Sequence, residues 1–217
     1  MTDYATRRTM MVDTQIRPSD VTKFPIIDAM LSVPRENFVP RDLREAAYVG
    51  ENMPLDRGRV ILEPRTFAKM LDALDVQQNE LVLDIGSGFG YSAVVLARLA
   101  EAVVALEDSS ERCQESQEAL AEFGADNVIC QNGALDAGAP EHGPYDVIVI
   151  EGAVDQIPQT IIDQLKNGGR IIALFADGAF GRVMMGYKLE GKVDWRNVFD
   201  AGAPVLPGFQ KQHTFAL

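Results

Sequence analysis

Histidine, cysteine and tryptophan are scarce in this chain: two, two and one among 217 residues. Cys113 falls in a helical pattern and Cys130 at the end of a strand pattern, without the spacing of a metal site. Both read as small core thiols of a reducing compartment. His142, in "PEHGPYD", and His213, near the end, read as loop and edge residues rather than catalysts. Positive charge is also short. Lys plus Arg number 20 against 32 Asp plus Glu, a net charge of −12. So acidic a surface repels phosphate backbones and anionic membranes, and neither nucleic acid nor membrane is expected as a partner. No stretch reaches the roughly 18 apolar residues of a membrane span, and "MTDYATRRTMMVDTQIRPSD" has no apolar core of signal-peptide length. The expected location is the cytoplasm.

What is present suits one globular unit. Apolar residues make up 47% and charged residues 24%, and no repeat or low-complexity linker divides the chain. Residues 1–217 read as a single domain, with a helical N-terminal cap over 1–76 and a core over 77–217. In the cap, "FPIIDAMLSV" (24–33) predicts a helix with Pro in its first turn. "EPRTFAKMLDALDV" (63–76) predicts another, with Phe67, Met70, Leu71 and Leu74 on one face. From residue 80 strands and helices alternate. "ELVLDI", "AVVALE", "NVICQ", "YDVIVIE" and "RIIALFA" predict strands. "GYSAVVLARLA", "SERCQESQEALAEFG" and "IPQTIIDQLKNGG" predict helices. Apolar strands alternating with helices make an α/β fold whose parallel sheet is covered on both faces. The tail departs from this rhythm. "RVMMGYKLEGKVDWRNVF" (182–199) predicts an antiparallel hairpin turning at 190–192, and "KQHTFAL" (211–217) a short last strand.

The segment "LVLDIGSGFGY" (81–91) carries the chemistry. A glycine-rich turn between a strand and its helix brings backbone N–H groups close to a ligand. Gly86, Gly88 and Gly90 supply that turn, but Tyr91 stands where the dinucleotide fingerprint has its third glycine, and no Gly-Lys-Ser/Thr follows for a nucleotide triphosphate. Asp84 is badly placed for a pyrophosphate and well placed for an ammonium group. Glu107 ends the second strand, where an acid accepts bonds from ribose hydroxyls. Asn132 and Gly133 follow the third strand, where an amide and an N–H can read an adenine edge, although Asn132 also suits a plain turn. Together these describe S-adenosyl-L-methionine better than a nicotinamide or flavin dinucleotide, or a turn that holds no ligand. Glu151 closes the fourth strand at the same edge. It reads either as a contact to cofactor amine or substrate, or as a carboxylate bonded to backbone N–H groups or Arg65.

Over about residues 8–176 the sequence resembles the protein-L-isoaspartate O-methyltransferase family. The likeness rests on "AMLSVPRENFVP" (29–40), "AYVGENMPLDRG" (47–58), "LVLDIGSGFGYSAVVLARL" (81–99), "YDVIVIEGAV" (145–154) and "QLKNGGRII" (164–172). It implies a Rossmann-like methyltransferase domain that binds S-adenosyl-L-methionine and methylates the stray carboxylate of isoaspartyl residues, the first step in repairing damaged protein. It also implies cofactor contacts from Asp84, Gly86, Ser87, Gly88 and Tyr91, with Glu107 as ribose acid and Asn132–Gly133 where the family usually has Asp-Gly. The substrate loop departs from the family: its usual Thr-Ile-Ser-Gln-Pro is here Val60-Ile61-Leu62-Glu63-Pro64. In the family that Ser bonds the reacting carboxylate. Losing one bond to a charged group costs about 1.5–3 kcal/mol.

A carboxylate nucleophile is ionised at pH 7, so this reaction needs no general base, and no catalytic acid–base residue or metal ligand is assigned. The expected acceptor is a peptide or protein carboxylate, or a small molecule. Two alternatives follow from the altered loop. The scaffold could serve a less anionic acceptor packed against Leu62, or it could bind cofactor as a non-catalytic partner protein. Oligomeric state has no signature in the sequence.

Overall fold

The structure is a computed structural model describing residues 3–178 and 180–211. His213 and all but the first residue of the expected strand 211–217 lie outside the described residues.

The chain opens with α1 (Tyr4–Met11), started by Asp3, whose carboxylate accepts a bond from the Thr6 N–H at 2.7 Å. A π-helical turn over Val12–Ile16 follows, then α2 (Phe24–Ser32), with Pro25 in its first turn and Ile26, Ile27, Ala29 and Met30 buried. Two short strands, β1 (Met53–Pro54) and β2 (Val60–Ile61), pair antiparallel and lead into α3 (Pro64–Leu74). As the spacing predicts, Phe67, Met70, Leu71 and Leu74 form the buried face of α3.

The sheet starts at β3 (Leu81–Ile85), where side chains point to alternate faces. Val82 enters one apolar cluster, with α1 to α3; Leu83 and Ile85 enter a second on the other face. α4 (Tyr91–Ala97), β4 (Ala102–Glu107), α5 (Ser110–Glu122), β5 (Val128–Asn132), β6 (Tyr145–Val154), α6 (Gln159–Asp163), β7 (Leu165–Asp177), β8 (Phe180–Leu189) and β9 (Lys192–Ala201) complete the order. The seven long strands lie as β5-β4-β3-β6-β7-β8-β9; the first five run parallel and the last two antiparallel. Rossmann-like layering with a C-terminal hairpin is therefore the fold. The hairpin turns on Glu190 (φ 49°) and Gly191 (φ 79°), two successive left-handed residues whose twist matches the flanking strands.

Two expectations need correction. The helix predicted over 157–169 ends at Asp163, because the Gln164 carbonyl already accepts the Tyr145 N–H and Leu165 pairs with Tyr145 in the sheet. The strand expected to close at Glu151 continues to Val154 through an irregularity: Val149 to Ala153 on β6 matches only Ile172 to Leu174 on β7. Such bulges redirect side chains beside functional sites.

Past the irregularity β6 stays paired with β7 and also pairs with the tail. The Ala153 N–H donates to the Pro204 carbonyl at 3.0 Å, and the Leu206 N–H donates to the Ala153 carbonyl at 2.9 Å. Leu206 and Phe209 are buried in the second cluster. A Cβ on Gly152 would stand 2.5 Å from Leu206 Cδ2, so this approach requires glycine.

Candidate functional site

The glycine loop sits at the carboxyl edge of the sheet, where open α/β sheets place ligands. Gly86 (φ 86°), Gly88 (φ 61°) and Gly90 (φ 95°) all adopt the left-handed conformation that glycine takes without strain. The Gly86 N–H donates to the Leu106 carbonyl at 2.8 Å, and the Gly88 N–H to Glu107 Oε2 at 2.8 Å, so the loop wraps around the end of β4. Tyr91 starts α4, but its ring points into the cap, between Phe38 and Phe67 at 5.9 Å each and under the Arg35 guanidinium at 4.8 Å.

Three polar groups here are buried and only partly matched. Asp84 accepts a 2.6 Å bond from the Ser92 hydroxyl on Oδ2, while its Oδ1 has no partner; Ser87 Oγ and Glu151 Oε1 have none either. Burial pushes the Asp84 carboxyl up to about 7, against the pull of Ser92 and Arg59. Burial also pushes Glu151 well above the usual carboxylate range. The Asp84 charge adds to this, and Arg35 and Arg59 oppose it. Both acids thus bind protons more readily than ordinary carboxylates. Glu151 is not paired with Arg65, whose guanidinium lies 3.9 Å from Glu63 instead.

Glu107 is fully buried, and its carboxylate is the hub of an ionic cluster. Arg59 Nη1 and Nη2 reach its two oxygens at 3.2 Å each, and Arg112 Nη2 reaches Oε1 at 2.7 Å. The Ser109 N–H adds a bond at 3.1 Å. Asp108 accepts from both arginines, at 2.6 and 2.8 Å, and Asp56 pairs with Arg112. Burial and the Asp108 side chain push the Glu107 carboxyl up to about 7, while Arg59 pulls it down. Asn132 is exposed at the end of β5, and its amide donates to the Glu107 carbonyl at 2.9 Å, next to the Gly133 N–H at 3.0 Å.

Asp84, Gly86, Ser87, Gly88, Glu107, Asn132, Gly133 and Glu151 therefore lie at the ends of β3 to β5 and the irregularity of β6, whereas the Tyr91 ring, also expected at the cofactor, turns into the cap. The expected substrate segment is arranged differently. Val60 and Ile61 are held in β2, and Leu62 is fully buried in the first apolar cluster, with its carbonyl accepting from Arg35 Nη2 at 2.8 Å. Glu63 caps the start of α3, where its Oε1 accepts from the Thr66 hydroxyl at 2.6 Å. Sequence reasoning missed Arg59, Arg112 and Leu206. Arg112 lies one helical turn beyond Glu107 and had a local signal; the other two arrive from distant segments.

The sequence profile of the family described as Protein-L-isoaspartate(D-aspartate) O-methyltransferase (PCMT) matches residues 6–197. A protein-L-isoaspartate O-methyltransferase 2 of Anaeromyxobacter sp. (strain Fw109-5) is 40% identical over 180 residues, 83% of this chain and 73% of that protein. The chain belongs to the protein-L-isoaspartate O-methyltransferase family. A second family member, from Pelobacter propionicus, is 32% identical over 93% of this chain and 89% of its own. Among solved structures, a protein-L-isoaspartate O-methyltransferase superposes with TM-score 0.79 at 26% identity, covering 93% of this chain and 66% of that one. A Plasmodium falciparum structure, described as a beta-aspartate methyltransferase in complex with S-adenosyl-L-homocysteine, shares the fold with TM-score 0.78 at 18% identity.

The chain is thus an S-adenosyl-L-methionine-dependent methyltransferase, and its residues fit that donor. The unpartnered oxygens of Asp84, Ser87 and Glu151 suit an ammonium group, and the glycines allow close approach. Among the described residues no helix is long and apolar enough to cross a membrane.

Proposed function

We propose that this chain methylates the free carboxylate of isoaspartyl residues in peptides and proteins, with residues 1–76 forming a cap on a core of 77–217 within one domain. The observation that carries the reading is the unmatched buried Asp84–Glu151 pair beside a left-handed glycine loop. Family membership supplies the acceptor class.

When bound, S-adenosyl-L-methionine supplies a methyl group on a sulfonium cation. The chain's part is to bind, orient and exclude water. Asp84, Ser87 and Glu151 would hold the amino-acid end, Glu107 the ribose, and Asn132 the adenine edge, since the Gly133 N–H is already given to the Glu107 carbonyl. The acceptor carboxylate is ionised at neutral pH and needs no base, so the chain's residues would contribute by aligning it with the donor's methyl group and excluding water. Val60 to Glu63 border this reaction centre through their backbone. Leu62 turns its side chain into the protein core, which removes the reason to invoke an apolar acceptor packed on it. Two free thiols, Cys113 and Cys130, accord with a cytoplasmic setting.

The test is methyl transfer from labelled cofactor to an isoaspartyl peptide beside its aspartyl twin. Incorporation into the first alone is expected; equal labelling of both, or of neither, would overturn the assignment.

A further inference from the structure

The acid that the ribose needs is already held by the chain itself. The Arg59 side chain is 1% exposed and lies flat across the glycine loop. Nη2 donates to the Gly86 carbonyl at 2.9 Å and to Glu107 Oε2 at 3.2 Å, while Nη1 reaches Glu107 Oε1 and Asp108. A Cβ on Gly86 would stand 3.0 Å from Nη2, and one on Gly88 would stand 3.2 Å from Leu55 Cδ1. Residues 55 and 59 therefore roof the two glycines that a nucleoside must approach. A tight turn aims them there: Arg57 (φ 52°) and Gly58 (φ 73°) are both left-handed, and the Leu55 N–H donates to the Arg59 carbonyl at 2.8 Å.

The seat is well made but incomplete, because Arg59 Nε is buried without a partner. Glu107 does not depend on this guanidinium to stay in place. Arg112 and the Gly88 and Ser109 N–H groups would still hold it. Each carboxylate oxygen gives up one acceptor site when Arg59 leaves, and two adjacent hydroxyls are what would refill both.

Resting on the cofactor reading above, we propose that Arg59 occupies the ribose subsite of the free chain and that the nucleoside must evict it to bind. Two neighbouring hydroxyls then replace its paired bonds to Glu107.

Calorimetry with S-adenosyl-L-homocysteine and its 2′-deoxy counterpart tests this on the full chain. Because the evicted guanidinium is common to both ligands, Arg59→Gln should bind S-adenosyl-L-homocysteine and its 2′-deoxy counterpart each at least 10-fold more tightly than wild type. Arg59→Lys keeps a charge but cannot bridge both oxygens, and should fall between them; it decides the matter if Arg59→Gln does not fold. Equal or weaker binding by a folded variant, with wild type binding normally, would overturn the role of Arg59 and leave the cofactor reading intact. No binding by any form at millimolar ligand would instead remove the cofactor reading and this inference with it.

Discussion

Ser92 commits its hydroxyl to one oxygen of Asp84, at 2.6 Å, and leaves the other oxygen bare in a fully buried position. Burial raises the proton affinity of both acids, and the Asp84 charge raises that of Glu151 further. The groups around Asp84 and Glu151 that set the balance are Ser92, Arg35 and Arg59.

This arrangement links cofactor binding to pH. The free protein holds the Asp84 carboxyl up at about 7, far above its ordinary 3.8. An incoming ammonium favours the ionised form, so binding near pH 6.5 should release protons, and affinity should rise with pH until the pair is ionised in the free protein. Calorimetry of S-adenosyl-L-homocysteine in two buffers of different ionisation enthalpy measures the release. It should fall in Asp84→Asn, which binds about 10-fold or more weakly on the scale of one bond to a charged group. A buffer-independent heat in wild type would contradict the account.

Gly152 admits Leu206, and adding one carbon should break that fit. Gly152→Ala puts a Cβ 2.5 Å from Leu206 Cδ2 and should lower unfolding stability by about 1–3 kcal/mol through overpacking. Leu206→Ala alone should be destabilising as a cavity, yet combined with Gly152→Ala it should recover part of the loss. Urea titrations of the four proteins measure the coupling; simple additivity would refute the contact.

Position 62 offers the clearest contrast with the family's hydroxyl. Leu62→Ser places an unpaired hydroxyl and a cavity in the core beside α3, and should destabilise by about 2–5 kcal/mol. It should not restore a substrate contact, so KM for an isoaspartyl peptide should stay within about 2-fold in a folded sample. A gain of 10-fold in turnover, the outcome expected if the loop faced the acceptor, would show that the segment reorients during catalysis.

The local motifs were legible because their chemistry is local. Three glycines in five residues, Asp84 before them and Glu107 at the end of the next strand are dictated by one strand–loop–helix unit and its neighbour, and the structure assembles them at one edge. The burial of α3 and the hairpin turn at Glu190–Gly191 follow equally from periodicity and backbone preference. The orientation of Leu62 was not legible, since a two-residue strand offers no alternation to read. Nor was the irregularity around Glu151, which depends on how β6 registers against β7. Arg59 reaches Glu107 from 48 residues upstream, and no pattern within either segment announces the pair.

The tail also fixes when the site is complete. Leu206 rests on Gly152, approaches Gly86 to within ordinary contact of a would-be Cβ, and donates its N–H to the carbonyl of Ala153, whose own N–H donates to that of Pro204. A nascent chain that has finished its glycine loop and all five parallel strands still lacks this wall. A partly synthesised chain therefore holds the glycine loop, Asp84, Glu107 and Glu151 with Leu55 and Arg59 already over the glycines, and the wall against Gly152 waits for residue 206.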